Sequence, residues 1–325
     1  MKNVFRVAIT CGDVDGIGAE VTAKALSKLR PQKGIQFYLW RSSHISKRYL
    51  NLIDKYFYRT TVKTWPQALR ADCDFHKTLI DIESVLPPPK WVEQMAKAGV
   101  SKSIDALVTA PLSKTGVIQA GMKDSGHTGI LKRVTKTPEI FMTFLGKEFN
   151  VVLLTGHTSI KKAYDQITED RLMTCISLTD KFRPILPLKK RTKPIALVGC
   201  NPHAGEEGVI DKKENEIYLP ALKLATKKKI SIHGPLVPDV CFQNQYWPKS
   251  SFYIASYHDQ GLIPFKMVHG ANSGIQVSLG LPFVRTSVDH GTAKDIFGKH
   301  RANETSMKKA LEIAIGILKN KPVKW

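Results

Sequence analysis

The chain has 325 residues, 42% hydrophobic and 24% charged, the balance of a globular protein with one large core or two medium ones. No run approaches the about 18 apolar residues of a membrane-spanning helix, and the opening MKNVFRVAITCGD, without a small-residue cleavage site, reads as a strand and not a secretory leader. The net charge of +21 is unusual, but its cations are dispersed. The densest runs, Lys189-Lys190-Arg191 and Lys227-Lys228-Lys229, carry no interleaved aromatic residue, so nucleic acid is not the expected partner.

In chain order, residues 4–10 read as a strand, followed by a glycine-rich turn and a helix over about 17–29. A second strand is expected at 35–40, and Leu86-Pro87-Pro88-Pro89 reads as a stiff loop. Residues 104–109 (IDALVT) form a strand, with a helix after Pro111 and another beginning at Gly126-His127-Thr128. Strands at 141–145 and 151–154 should lie side by side across the turn Gly146-Lys147-Glu148. A helix at 169–180, a buried strand at 194–199, a helix at 215–226, a strand at 252–255 and a closing helix at 307–318 complete the pattern. Strand and helix alternating at this spacing predict an α/β fold with mainly parallel strands. Five scattered cysteines (Cys11, Cys73, Cys175, Cys200, Cys241), with no C-x-x-C pair, point to a reducing cytoplasm and not to a disulfide framework or zinc ribbon.

In open α/β sheets ligands gather beyond the carboxyl ends of strands, and there the reactive residues cluster. The segments are CGDVDGIGAE (11–20), APLSK (110–114), His157-Thr158, CNPHAGE (200–206) and HDQG (258–261). His157, His203 and His258 each follow an apolar strand; three imidazoles with one open position suit Zn²⁺, Co²⁺ or a similar ion, the alternative being three separately satisfied histidines at loop starts. Thr128 is placed to cap a helix, while His127 beside it suits capture of a phosphate or carboxylate. GDVDGIG is not a G-x-G-x-x-G fingerprint, and Asp13 and Asp15 would repel phosphate, so it reads as a tight strand-to-helix turn.

The stretch DHGTAKDIFGKHRAN (289–303) resembles the loop that binds the adenosine part of NAD(P) in the isocitrate and isopropylmalate dehydrogenase superfamily. Together with LVTAPLSKTGVIQAG, GHTGIL, LLTGHTSI, GCNPHAGEEG, GPLVPDVCF, YHDQGLIPFK and LGLPFVRTSVDHGTA, it makes the whole chain resemble the 4-hydroxythreonine-4-phosphate dehydrogenase (PdxA) family. The resemblance implies two α/β/α domains flanking a cleft. Residues 1–120 and 272–325 would form the terminal domain and 121–271 the middle one. It also implies a homodimer that uses NAD or NADP and holds a divalent ion (Zn, Mg or Co) at the subunit interface.

On the same grounds His157, His203 and His258 are the metal ligands, and His127, Thr128, Lys266, Gln276 and Arg285 the substrate contacts. His290, Gly291, Thr292, Asp295 and Asn303 meet the cofactor, and His258, Lys266 and Asp259 belong to the catalytic set, Asp259 either orienting an imidazole or capping a turn. The implied substrate is a small phosphorylated hydroxy-amino acid, oxidised at C3 and then decarboxylated. Three departures from the family pattern keep a 4-phosphorylated sugar acid, erythronate or threonate 4-phosphate, as the alternative. Gln276 stands in place of an asparagine, Gly129 in place of a common glutamate, and Cys11, Val14, Asp15 and Ala19 in place of the usual prolines and alanine.

Overall fold

The computed structural model describes residues 4–71, 77–270 and 274–323; Cys73 lies outside them. Twelve strands occur among the described residues. In chain order they are β1 (Phe5–Thr10), β2 (Ile35–Ser42), β3 (Tyr58–Val62), β4 (Thr78–Ser84), β5 (Ala106–Thr109), β6 (Phe141–Leu145), β7 (Val151–Leu153), β8 (Ile195–Val198), β9 (Ile232–Leu236), β10 (Tyr253–Ala255), β11 (Ile275–Leu279) and β12 (Val284–Ser287). The chain forms two compact units: unit 1 holds the described residues of Met1–Pro138 and Leu281–Lys319, and unit 2 those of Glu139–Gly280 and Asn320–Trp325.

In unit 1 the strands run β3-β4-β2-β1-β5-β12, every pairing parallel. Parallel strands connected by helices are covered on both faces, and β1, β2 and β5 are accordingly apolar almost throughout, with Val7, Ala8, Ile9, Leu39 and Val108 buried. Unit 2 runs β11-β6-β7-β10-β8-β9, parallel except at β6, which is antiparallel to both its neighbours. The expected side-by-side pair is this β6–β7 hairpin, with Met142 opposite Leu153.

The unit boundaries differ from the expected 120/121 and 271/272, for identifiable reasons. Helix His127–Thr135 stays with the terminal unit because it packs on helix Pro88–Val100, with Arg133 paired to Glu93 at 3.1 Å. β11 stays with unit 2 because its whole length pairs with β6. The expected stiff loop at 86–89 is in part a helix start: Pro87 is the N-cap and Pro88 opens helix Pro88–Val100, where a missing N–H costs nothing.

The turn after β1 is shaped by close backbone approach. Gly12 has φ +68°, and a Cβ there would stand 2.0 Å from the Pro111 carbonyl oxygen; one at Gly18 would stand 1.9 Å from that of Cys11. Neither position accepts a side chain, which accounts for these two glycines by packing alone. No helix among the described residues is long and apolar enough to cross a membrane.

Candidate active site

Unit 2 delivers its histidines from the ends of β7, β8 and β10. His157 lies four residues beyond the end of β7, and His258 opens helix His258–His269 three residues beyond the end of β10. Their rings lie side by side, centroids 4.9 Å apart. His258 Nδ1 is 2.7 Å from Asp259 Oδ1. An N–H donated there fixes the tautomer that leaves the Nε2 lone pair for a metal ion. The helix has no side-chain cap at its N-terminus, and the Asp259 carboxylate lies against the imidazole.

His203 sits in the coil Pro202–Gly208 beyond β8, its ring exposed. Among the described residues of this one chain, no group of three or more His, Cys, Asp or Glu side chains gathers in metal-holding geometry. The donor set nonetheless suits a borderline divalent ion: two adjacent imidazoles, one of them oriented by a carboxylate.

Lys266 lies on the same helix as His258, exposed, eight residues on, which is about 12 Å along the axis. Sequence reading had not identified this segment as a helix, because Gly261 and Pro264 interrupt the usual pattern. Gln276 is half-buried on β11, opposite Phe144.

Unit 1 carries the cationic cluster. Arg285, on β12, is 1% exposed, and its Nη2 donates to the Thr109 hydroxyl at 2.8 Å, at the end of the neighbouring β5. Burial pulls the guanidinium pKa down to about 10. His127 opens helix His127–Thr135; its Nε2 is buried with no hydrogen-bond partner. Burial, and then the nearby Arg285 charge, hold this imidazole well below its usual pKa of 6.5 and therefore neutral. A buried polar nitrogen without a partner beside a buried cation is an arrangement that an anionic, hydrogen-bonding ligand completes. Thr128 lies inside the helix and does not cap it: the N-cap is Gly126, with φ +124° and no side-chain bond. The expected capping role is thereby corrected.

The 290–303 loop also belongs to unit 1. His290 Nδ1 lies 2.9 Å from the Gly291 carbonyl oxygen, and its buried Nε2 lacks a partner. A Cβ on Gly291 would meet nothing within 4 Å, so open space adjoins the backbone there. Both features suit a dinucleotide lying against the loop. Thr292 accepts a backbone bond from Ile17, Asp295 is exposed in a single turn of 3₁₀ helix, and the Asn303 side chain accepts from Thr305 N at 2.8 Å, starting helix Thr305–Leu318. Lys294 joins the loop to the glycine-rich turn through Asp15 at 2.6 Å.

Three residues escaped the sequence reading. Thr109 holds Arg285. Glu20, 1% exposed, accepts from Ala302 N at 2.9 Å and from Lys24 at 2.6 Å, anchoring the far limb of the loop. Glu214, equally buried, accepts from Cys200 N and Asn201 N, each at 2.9 Å. A buried glutamate inside a helical pattern was the available signal for the last two.

Residues 89–314 match the family model of the pyridoxal phosphate biosynthetic protein PdxA. A 4-hydroxythreonine-4-phosphate dehydrogenase of Sulfurihydrogenibium sp. (strain YO3AOP1) is 34% identical over 321 residues, covering 96% of this chain and 98% of that protein. A D-threonate 4-phosphate dehydrogenase of Salmonella typhimurium is 31% identical, covering 95% and 98%. A crystal structure of a 4-hydroxythreonine-4-phosphate dehydrogenase from Burkholderia phymatum superposes with a TM-score of 0.74 at 29% identity, covering 96% and 98%. Isocitrate dehydrogenase from Methylococcus capsulatus, at 12% identity and a TM-score of 0.53, shares the fold. The family model spans more than half of the chain and the curated relatives nearly all of it; the chain belongs to the PdxA family, on an isocitrate/isopropylmalate dehydrogenase-like α/β fold.

Proposed function

We propose that this chain is the 4-hydroxythreonine-4-phosphate dehydrogenase of pyridoxal phosphate biosynthesis, dependent on NAD or NADP and on a divalent metal ion. It oxidises 4-phosphooxy-L-threonine at C3, and the resulting β-keto acid loses CO₂ to give 3-amino-2-oxopropyl phosphate. The observation that carries this reading is the buried Arg285 with the half-buried His127 near it, whose Nε2 is buried and lacks a partner, an anion-accepting arrangement in a chain of this family.

When bound, the divalent ion supplies Lewis acidity toward the C3 hydroxyl and the carbonyl it becomes, and the nicotinamide accepts the hydride. The residues present would do the rest. His157 and His258 offer ring nitrogens to the ion, Asp259 holding the second ring in orientation. Arg285 supplies a fixed fork for a phosphate or carboxylate, and His127, neutral, hydrogen-bonds the same anion through Nε2. Lys266 offers a mobile cation to the substrate's other charged end, and Gln276 an amide. His290, Thr292, Asp295 and Asn303, with Gly291, receive the adenosine half of the cofactor.

A homodimer accords with the surface of unit 2. The segments bearing His258 and His203 also expose Ile263 (60%), Met267 (81%) and Val209 (82%), apolar area that a second copy would cover. The third imidazole at each metal ion, His203, would then be shared across that interface.

A second reading, oxidation of a 4-phosphorylated threonate or erythronate, is favoured by the relative named for D-threonate 4-phosphate and by Gln276. The testing experiment is NAD reduction by the purified protein with 4-phosphooxy-L-threonine, before and after metal is stripped by a chelator. Metal-restored turnover is expected; turnover indifferent to stripping would contradict the metal assignment.

A further inference from the structure

The strand ends that present the three histidines are fastened to one another by a buried polar frame. Its centre is Ser256, at the end of β10, 1% exposed. Its N–H donates to Gln260 Oε1 at 2.7 Å, and its hydroxyl donates to the Val198 carbonyl oxygen at 3.0 Å. The same hydroxyl meets Tyr218 Oη at 2.7 Å, and the Ser256 carbonyl accepts from the Thr155 hydroxyl at 2.9 Å. Gln260 Nε2 in turn donates to the Gly199 carbonyl oxygen at 2.7 Å. One serine and one glutamine thus tie together the ends of β7, β8 and β10, the strands that precede His157, His203 and His258.

The second hub is Glu214. Its Oε1 accepts from Cys200 N and Asn201 N at 2.9 Å, and its Oε2 accepts from Asn201 Nδ2 at 3.0 Å. It opens the π-helical turn Glu214–Tyr218, whose last residue is the Ser256 partner. Turns of this kind occur mostly as single-turn bulges in α-helices and are frequent at functional sites. The coil it holds is strained: His203, Ala204, Glu206 and Glu207 have φ of 51°, 52°, 45° and 52°. L-residues occupy that region at a cost and keep it only where the surroundings over-determine it. A Cβ on Gly205 would lie 2.7 Å from Glu214 Oε2, so the coil rests directly on the carboxylate.

We propose that Glu214 and Ser256 are positioning residues for the divalent-metal centre: they hold the strained His203 coil and the strand ends of His157 and His258 in the mutual arrangement that metal binding requires. This rests on the metal reading above. A carboxylate suits the task because four donors converge on it, the Cys200 thiol at 3.4 Å among them. In Glu214→Gln the new NH₂ would face the Asn201 NH₂, while Oε1 still accepts the two main-chain amides. Adding Asn201→Asp restores a donor–acceptor match.

The test uses metal-stripped full-length protein. Co²⁺ affinity is measured by calorimetry and by the visible Co²⁺ absorption spectrum, alongside NAD affinity and the melting temperature. Glu214→Gln is expected to weaken Co²⁺ binding about 10–100-fold and to alter the spectrum, leaving NAD affinity unchanged. The double variant Asn201→Asp/Glu214→Gln is expected to recover most of the loss. Wild-type Co²⁺ affinity in a Glu214→Gln protein that merely melts earlier would overturn the proposal. If that variant does not fold, Ser256→Ala carries the test; a weakening of about tenfold is expected, and unchanged affinity overturns the proposal. Wild-type protein that binds no Co²⁺ would instead overturn the metal reading itself, and the two failures are thereby distinguishable.

Discussion

Arg285 of unit 1 is 1% exposed, locked to Thr109, and adjoined by an imidazole whose Nε2 has no partner. His157 and His203 of unit 2 are instead exposed at loop positions, in segments that also expose apolar side chains. The first cluster lies within one chain: its guanidinium is already desolvated, and the nitrogen beside it has a lone hydrogen-bonding position that the proposed anion would fill. The second presents two neighbouring imidazoles on one chain, with the third on a separate coil. A site built by burial should respond to single side chains and to pH. A site built by assembly should respond to metal, to the frame behind its ligands and to whatever covers the apolar surface.

The sharpest way to break this contrast is at the histidine pair. His258→Ala should lower turnover about 100–1,000-fold, the range for losing a principal electrostatic element, with NAD affinity preserved; steady-state rates and a separate binding titration check both halves. In unit 1, Arg285→Lys keeps the charge and loses the planar fork, so the Michaelis constant for the phosphorylated substrate should rise about 10–100-fold. Co²⁺ affinity should stay unchanged in that variant; a parallel loss of metal binding would erase the distinction between the two clusters.

A smaller effect concerns pH. His127 has its folded-state pKa lowered from 6.5 by burial and then by Arg285. Below pH 6.5 the unfolded chain takes up a proton that the folded one refuses, so the associated stability is fully present above pH 6.5 and is lost as pH falls below it. Melting temperatures of the wild type should therefore decline more steeply below pH 6.5 than those of His127→Gln; parallel curves would refute the neutral assignment. The smallest effect is expected at Asp15→Asn, which releases Lys294 and one tether of the 290–303 loop. The pair is well exposed, so NAD affinity should weaken less than about fivefold, and less still at high salt.

Much of this was legible in the sequence because strand ends in α/β folds are where reactive side chains collect. The runs VAIT, ALVT, VVLL and IALV are unbroken and apolar, and the polar residues that follow them could be placed without coordinates. Other features were hidden by local chemistry. Pro88 and Pro89 read as breakers, yet proline is at home in the first turn of a helix. Gly261 and Pro264 disguised helix His258–His269, whose apolar face decides the matter through Leu262 and Phe265 packed in the unit 2 core. β3 and β4 carry charged and hydroxyl residues because Asp81, wholly buried, is paired with Arg41 and Arg59 across the strands, and no periodicity announces such a pairing. The roles of Thr109, Glu20, Glu214 and Ser256 were hidden for a related reason. Their importance lies in what they hold, and a sequence does not display partners as far as 282 residues away.

The central claim is that the buried anion site and the histidine pair serve one reaction on a phosphorylated hydroxy-amino acid. The measurement that tests it most directly is the specificity constant, with NAD and a restored divalent ion, for 4-phosphooxy-L-threonine against threonate and erythronate 4-phosphates. The account predicts that the amino acid is turned over with release of CO₂ and formation of NADH, and is preferred over both sugar acids. Turnover of a sugar acid with none of 4-phosphooxy-L-threonine would contradict it.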